Sequence, residues 1–125
     1  MRLVLTMSLA MALVLASPAE ATSPRLTREV LMSTMDKEAK VEFAIAQFVT
    51  DSKERLCAKR IAYKESRFNE DSLNKSSGAR GVWQLLWAQP SWSLLKQTQE
   101  AHDYVLHRYE TWCGAYRFHQ ERNWY

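Results

Sequence analysis

A single polar stretch, Phe68 to Arg80, divides this chain and limits what it can fold into. On both sides of it, apolar residues recur at loosely helical spacing, and no internal repeat is visible. The stretch itself is rich in turn-forming residues: Asn69, Asp71, Ser72, Asn74, Ser76, Ser77 and Gly78. We therefore predict a mainly α-helical domain with one turn-rich loop, which has room for a short hairpin.

The predicted helices have recognisable ends. Ser23-Pro24 combines an N-cap with a proline at the first helical position, so one or two helices are expected from there to about Thr50. Asp51, followed three residues later by Glu54, is a variant of the capping box and predicts a helix that ends near Ser66. Two further regions complete the prediction: 91–109 as a helix with Pro90 in its first turn, and 112–120 as a final short helix or turn.

Composition agrees with one small globular domain. The 125 residues are 46% hydrophobic and 25% charged, and the net charge of +3 favours an anionic partner only weakly. The sequence has no dense Lys and Arg cluster with interleaved aromatic residues, so a nucleic-acid partner is not expected.

The N-terminus predicts export. Met1-Arg2 is followed by an apolar run to Ala16, then by the helix-breaking Ser17-Pro18 and the small-x-small pattern Ala19-Glu20-Ala21. The apolar run is shorter than the roughly 20 residues that span a bilayer. We predict that residues 1–21 are a signal peptide cleaved after Ala21, which leaves a secreted or periplasmic protein without stable membrane insertion. An uncleaved membrane anchor is the alternative.

The chain has two cysteines, Cys57 and Cys113. In an oxidising compartment, such a pair is expected to form a disulfide. Two cysteines without suitably spaced histidines make a poor zinc site, and His102 and His107 lie five residues apart, which does not bring them onto one helix face. We therefore predict no metal and no other cofactor.

Glu65-Ser66 closes one helix before the loop, and Gly81-Val82-Trp83-Gln84 follows the loop. A glutamate acts as a general acid only in partly apolar surroundings, which Trp83 and other aromatic residues nearby could supply. Ser66 and Gln84 offer neutral hydrogen bonds, and Gly81 allows the backbone to approach a ligand closely. One acid with neutral polar and aromatic neighbours suits a sugar substrate.

A structural interpretation of the same residues stands beside this one. A lone glutamate at a helix end, such as Glu65, is usually a solvated surface residue. Trp83 and Trp87 lie four residues apart, and this spacing is more typical of a packed core face than of a binding surface.

The complete pattern resembles the soluble, lysozyme-like lytic transglycosylases. Their motifs have counterparts over roughly 56–125, in Glu65-Ser66-Arg67-Phe68-Asn69, Ser76 to Gln84, and Ala115-Tyr116. Arg117 follows Tyr116 where larger relatives have asparagine. The resemblance implies a small lysozyme-like (α+β) domain over residues 51–125, preceded by an N-terminal helical segment over 22–50.

The resemblance also implies roles for individual residues. Glu65 would be the catalytic acid and then the base, and Ser66 would support that carboxyl or the substrate. The implied substrate-binding residues are Ser66, Gly81, Trp83, Gln84 and Tyr116, with the Tyr116 hydroxyl near Glu65. The family cleaves the bond between N-acetylmuramic acid and N-acetylglucosamine in peptidoglycan, with the muramic 6-hydroxyl as nucleophile, and forms 1,6-anhydro ends.

Two functions follow as expectations. The first is a monomeric, exported lytic transglycosylase, or a lysozyme-like muramidase, acting on peptidoglycan glycan strands with a single acid. The other nearby acids, Glu70 and Asp71, are expected to face solvent, so a single-acid mechanism is compatible with the sequence. The second is a non-catalytic wall-binding or assembly protein on the same scaffold.

Overall fold

A computed structural model describes residues 23–125, and the predicted signal peptide therefore lies outside the described residues. Five helices account for most of this region: α1 (Pro24–Ser33), α2 (Lys37–Ala46), α3 (Ser52–Ser66), α4 (Leu94–Tyr109) and α5 (Trp112–Arg122). The prediction of a mainly α-helical fold is confirmed. None of the helices in residues 23–125 is long and apolar enough to cross a membrane.

The loop between α3 and α4 contains very little β-structure. Two isolated antiparallel bridges, Leu73 with Arg80 and Arg80 with Leu85, stand in place of the expected short hairpin. Asn74 closes the turn between Leu73 and Arg80, because its side-chain oxygen accepts hydrogen bonds from the backbone N–H groups of Ser76 and Ser77. The side-chain bonding of the turn residues thus organises the loop without regular strands.

Local capping explains why the N-terminal segment forms two helices. The Ser23 hydroxyl accepts from the Leu26 N–H at 3.2 Å, and Pro24 is the first residue of α1, as predicted. A second cap, Asp36, accepts from the Ala39 N–H at 2.8 Å and starts α2. The two caps therefore divide the segment before Thr50 into α1 and α2.

The start of the fourth helix and the end of the fifth differ from the predictions, whereas the end of α4 at Tyr109 and the start of α5 at Trp112 agree with them. The Ser93 hydroxyl accepts from the Lys96 N–H at 3.2 Å, so α4 begins at Leu94. The prediction that Pro90 lies in the first turn of this helix is wrong, because the cap comes three residues later. The final helix, α5, extends to Arg122, beyond the predicted end at 120.

The core lies between four helices and the loop. Helix α3 packs against α2 and α5, and α4 also packs against both of these helices. The Trp83 ring from the loop is fully buried and lies 4.9 Å, centroid to centroid, from the Trp112 ring of α5. Fully buried residues come from every one of these elements: Val41, Ala44, Ala58, Ile61, Ala62, Val82, Trp83, Ala101, Val105 and Ala115. The N-terminal segment and the following residues therefore share one core.

A disulfide and a side-chain hydrogen bond join the start of α5 to α3. The predicted disulfide between Cys57 and Cys113 is confirmed, with the two Cα atoms 5.0 Å apart. The Glu54 carboxylate accepts from the Trp112 N–H at 2.6 Å, where the unpaired N–H groups of a helix N-terminus favour negative charge. The predicted capping box is therefore half correct: Asp51 accepts from the Glu54 N–H at 2.9 Å, but the Glu54 side chain bonds α5 instead of reaching back.

Candidate active site

Glu65 lies in the last turn of α3, immediately before a sharp change of chain direction. Arg67 and Phe68 follow it with φ angles of 52° and 66°, in the left-handed region that residues other than glycine rarely adopt. Each such residue costs on the order of 1 kcal/mol or more, and backbone strain of this kind clusters at functional sites. The turn therefore ends α3 at Ser66, one residue after Glu65.

The Glu65 side chain is largely buried but still reaches the surface. It is 17% exposed, and its Oε1 atom lies 2.7 Å from Nε2 of His119 on α5. Burial raises the pKa of Glu65 above the usual range for a glutamate, and the hydrogen bond to His119 opposes part of that rise. The carboxyl therefore keeps its proton to a higher pH than a solvated glutamate does, which is what a general acid requires.

Tyr125 packs against His119, the hydrogen-bond partner of Glu65. Its hydroxyl donates to the Trp83 carbonyl at 2.7 Å, and its ring centroid lies 6.2 Å from that of His119. Burial raises the pKa of Tyr125 well above the usual range, and the negative charge of Glu65 acts in the same direction. The phenol therefore stays neutral beside Glu65.

Ser66 connects α3 to the returning loop. Its hydroxyl donates to the Val82 carbonyl at 2.9 Å, and the Ala62 carbonyl lies 3.3 Å from the same hydroxyl oxygen. The Val82 N–H in turn donates to Oε1 of Gln97 on α4 at 3.0 Å. Ser66 thus fixes the loop next to Glu65, which is a supporting position for the candidate acid.

Gln84 and Gly81 bond within the loop. The Gln84 side-chain N–H groups donate to the carbonyls of Gly81 at 2.9 Å and of Ser72 at 3.3 Å. Gly81 has a φ of 81° and lies against the Gln97 amide, so that a Cβ there would overlap the amide oxygen. Gly81 therefore allows the close approach of Gln97, which carries the hydrogen bond to Val82.

Substitutions at two glycines separate the cost of backbone conformation from the cost of overlap with Gln97. Gly78 has a φ of 79° with nothing within 4 Å of an added Cβ, so Gly78→Ala should lower the unfolding free energy by about 1 kcal/mol through backbone conformation alone. Gly81→Ala has the same backbone cost, and the overlap with Gln97 should add roughly 1–3 kcal/mol. Urea unfolding of the two variants measures the difference, and equal losses would contradict the role assigned to Gln97.

Trp83 and Trp87 have different environments. Trp83 is fully buried, and its Nε1–H donates to the Thr98 hydroxyl at 3.1 Å, so its ring belongs to the core and presents no surface for stacking. Trp87 is 41% exposed, and its Nε1–H donates to Glu100 at 3.3 Å. Of the two indoles, only Trp87 is exposed, and its ring centroid lies 5.3 Å from that of Tyr104.

Tyr116 on α5 faces α3. The Arg60 guanidinium lies 5.6 Å from the centroid of its ring. Tyr116 lines a groove of about 380 Å³ together with other residues, which include Leu56, Tyr63 and Phe68. Among the described residues, the side chain that hydrogen-bonds the Glu65 carboxyl is His119 and not Tyr116.

The two other acids of the loop are separate from this site. The Glu70 carboxylate lies 3.8 Å from the Lys40 ammonium, and Asp71 is exposed. Residues 23–125 contain no group of three or more His, Cys, Asp or Glu side chains that could hold a metal ion.

His119, Tyr125 and Gln97 were not identified as site residues from the sequence. A signal existed for His119, because it lies three residues after Tyr116 on a predicted helix and therefore on a neighbouring part of its surface. Comparison of the chain with protein-family models, curated proteins and solved structures finds no match in any of the three.

Proposed function

We propose that this protein is an exported peptidoglycan lytic transglycosylase in which Glu65 is the single catalytic acid. The observation that carries this proposal is the setting of Glu65. It is a largely buried carboxyl with a raised pKa at the end of α3, and Ser66 ties the returning loop beside it. The Glu-Ser and Gly-x-x-Gln pattern at this position supports the same chemistry, as does its resemblance to the lysozyme-like family.

The proposed reaction needs no second carboxylate. Glu65 donates its proton to the glycosidic oxygen, and the bond from that oxygen to C1 of the muramic residue breaks with its electron pair on the oxygen. The 6-hydroxyl of the same muramic residue then forms a bond to C1, and its proton returns to Glu65. Water is not consumed, and the acid is regenerated.

The surrounding residues have proposed roles in this reaction. Ser66 supports the carboxyl by holding the Val82 backbone, while Gly81 and Gln84 shape the loop. Trp83 is proposed to support the loop from within the core. Because its ring is fully buried, direct stacking on the glycan is proposed for other aromatic residues. Tyr116 is proposed to bind the glycan from the groove that it lines.

The same proposal includes a lysozyme-like fold and export to the periplasm or medium. A lysozyme-like arrangement is supported by the helix-end glutamate followed by a polar loop with antiparallel bridges. The Cys57–Cys113 disulfide is compatible with export to the periplasm or medium, and the apolar N-terminus suits a signal peptide. The proposed partner is a peptidoglycan glycan strand, bound by a monomer.

One observation favours the second candidate, a non-catalytic wall-binding protein. The Glu65 carboxyl is already hydrogen-bonded to His119, and the Gln84 amide is bonded within its own loop. A protein that only binds the wall would retain such contacts as structural elements and would lack turnover.

The test uses purified peptidoglycan and the protein in its oxidised form. Mass spectrometry of the digest should detect muropeptides that are lighter by one water than the products of hydrolysis, because the 6-hydroxyl replaces water as nucleophile. Reducing-end products would identify a hydrolase instead. Binding to peptidoglycan without any released product would favour the wall-binding candidate.

A further inference from the structure

His119 is more deeply buried than the carboxyl that it contacts. Its side chain is 5% exposed, against 17% for Glu65, and the distance from Nε2 to Glu65 Oε1 is 2.7 Å. The residue comes from α5, and 54 positions separate it from Glu65 in the sequence. Burying a histidine next to a largely buried acid is costly unless the two groups hydrogen-bond to each other. We therefore treat the contact as a specific hydrogen bond of the folded protein.

The other ring nitrogen determines which tautomer fits. Nδ1 of His119 is buried and has no hydrogen-bond partner among the described residues. An imidazolium, or a ring protonated on Nδ1, would bury an N–H group without a partner, and such buried N–H groups are rare in folded proteins. The tautomer protonated only on Nε2 avoids this and donates its one N–H to Glu65 Oε1.

This arrangement distinguishes the two oxygens of Glu65. Oε1 is taken by His119, whereas Oε2 has no hydrogen-bond partner in residues 23–125, although the side chain remains partly exposed. A carboxyl with one oxygen fixed can rotate little about its last torsion, so the other oxygen has a defined direction.

We propose that His119 is the positioning residue of Glu65: its Nε2–H holds Oε1 and leaves Oε2 as the oxygen that exchanges the proton with the glycan. The inference rests on the proposed function and assigns to it a residue outside the Glu-Ser, Gly-x-x-Gln and Ala-Tyr motifs. His119 does not exchange a proton with the glycan in this scheme. Its position relative to Glu65 depends on α5, which the disulfide and Glu54 attach to α3.

The scheme predicts how the pKa of Glu65 responds to His119. The hydrogen bond favours the ionised carboxylate, so its removal should raise the pKa of Glu65 further. His119 on α5 and Tyr125 in the C-terminal segment are the titratable groups that face Glu65 among the described residues. Since a general acid must be protonated, the loss of activity at high pH should shift to higher pH without His119.

The experiment compares His119→Leu with His119→Gln in the oxidised, full-length protein. The glutamine side-chain amide can occupy the place of Nε2–H, whereas leucine cannot donate. We expect His119→Leu to lower kcat for peptidoglycan about 10- to 100-fold with little change in KM, because orientation is lost while binding remains. It should also raise the Glu65 pKa measured by carbon-13 NMR, and His119→Gln should restore most of both properties.

Either of two results with the variants would overturn the inference. One is an unchanged kcat and pH profile in His119→Leu, and the other is a His119→Gln variant as impaired as His119→Leu. Nitrogen-15 NMR of the wild type gives an independent measurement if His119→Leu does not fold. A proton on Nε2 and none on Nδ1 at neutral pH supports the assignment, and the opposite tautomer contradicts it. Failure of the proposed function is distinguishable, because the wild type itself would then be inactive while the Glu65 pKa still responded to His119→Gln or His119→Leu.

Discussion

Glu65→Gln is expected to lower peptidoglycan cleavage by about 10²- to 10⁴-fold, the contribution typical of a general acid. Glutamine keeps the size of the side chain and an oxygen that can accept from His119, but it has no proton to donate to the glycosidic oxygen. Release of soluble muropeptides, followed by mass spectrometry, measures the loss. Binding to insoluble peptidoglycan should remain close to that of the wild type.

Two matched substitutions control for charge in the same part of the chain. Glu70→Gln and Asp71→Asn each remove one negative charge from the loop, away from the Glu65 carboxyl, and should cost far less activity. Full activity in Glu65→Gln would show that the acid is wrongly assigned. Equal losses in all three variants would indicate a general effect of charge.

The pH dependence of the stability of Glu65→Gln tests whether the pKa of Glu65 is raised in the folded protein. The pKa of Glu65 is raised in the folded state, so the folded protein holds this proton more tightly than the unfolded chain does. Its stabilising effect is complete below the unfolded pKa and is lost as the pH rises through the folded pKa. The melting temperature of Glu65→Gln relative to wild type should therefore increase across that pH range, and a constant difference would contradict the raised pKa.

Replacing both bridged cysteines, as Cys57→Ala with Cys113→Ala, should destabilise the protein by about 4 kcal/mol in the chain-entropy model, because the bridge closes a loop with a sequence separation of 56. For a domain of this size, that loss corresponds to roughly 15–30 °C in melting temperature. Calorimetry of the double variant provides the measurement. Activity should also fall, since the bridge holds α5 and therefore His119 against α3.

Reductant supplies the control for this prediction. Reduced wild-type protein should melt near the temperature of the double alanine variant, and the variant itself should not respond to reductant. A double variant that melts within a few degrees of the oxidised wild type would mean that the packing between α3 and α5 is sufficient without the bridge.

Features that depend on neighbouring residues could be predicted from the sequence. Ser23 and Asp51 cap their helices through N–H groups only three residues away, and Ser66 ends α3 as expected. Pro90 was misassigned because proline is suited to a first turn but does not specify one. Ser93, which has a side chain that can cap, sets the actual start of α4.

The candidate site could be predicted only in part, because its contacts cross the fold. Glu65 and Ser66 were identifiable since a helix end and a polar loop are local patterns. The partner of the carboxyl, His119, lies on another helix, and its spacing from Tyr116 places it near that residue on α5 without predicting that it contacts Glu65. Gln97 presents the same difficulty, because its bonds to the loop form only after α4 has packed.

The burial of Trp83 could not be predicted from the sequence, for a different reason. An indole that follows a polar loop fits both a glycan platform and a core residue, and the four-residue spacing to Trp87 does not decide between them. The decisive fact is the hydroxyl of Thr98, which gives the buried Nε1–H a partner and so removes the cost of burying the whole ring. This contact joins the loop to α4 and is not visible in the sequence around Trp83.

The attachment of α5 to α3 has a consequence for the order of events during synthesis. Glu65 is made early, but its partner His119, the bridge partner Cys113 and the N–H groups that Glu54 caps all belong to the last helix. A nascent chain that ends before α5 can form the helix that carries the acid, yet it has neither the cross-link nor the donor that orients the carboxyl. Under the proposed function, we therefore expect activity to appear only when the final helix docks, and a chain that ends before α5 to be inactive.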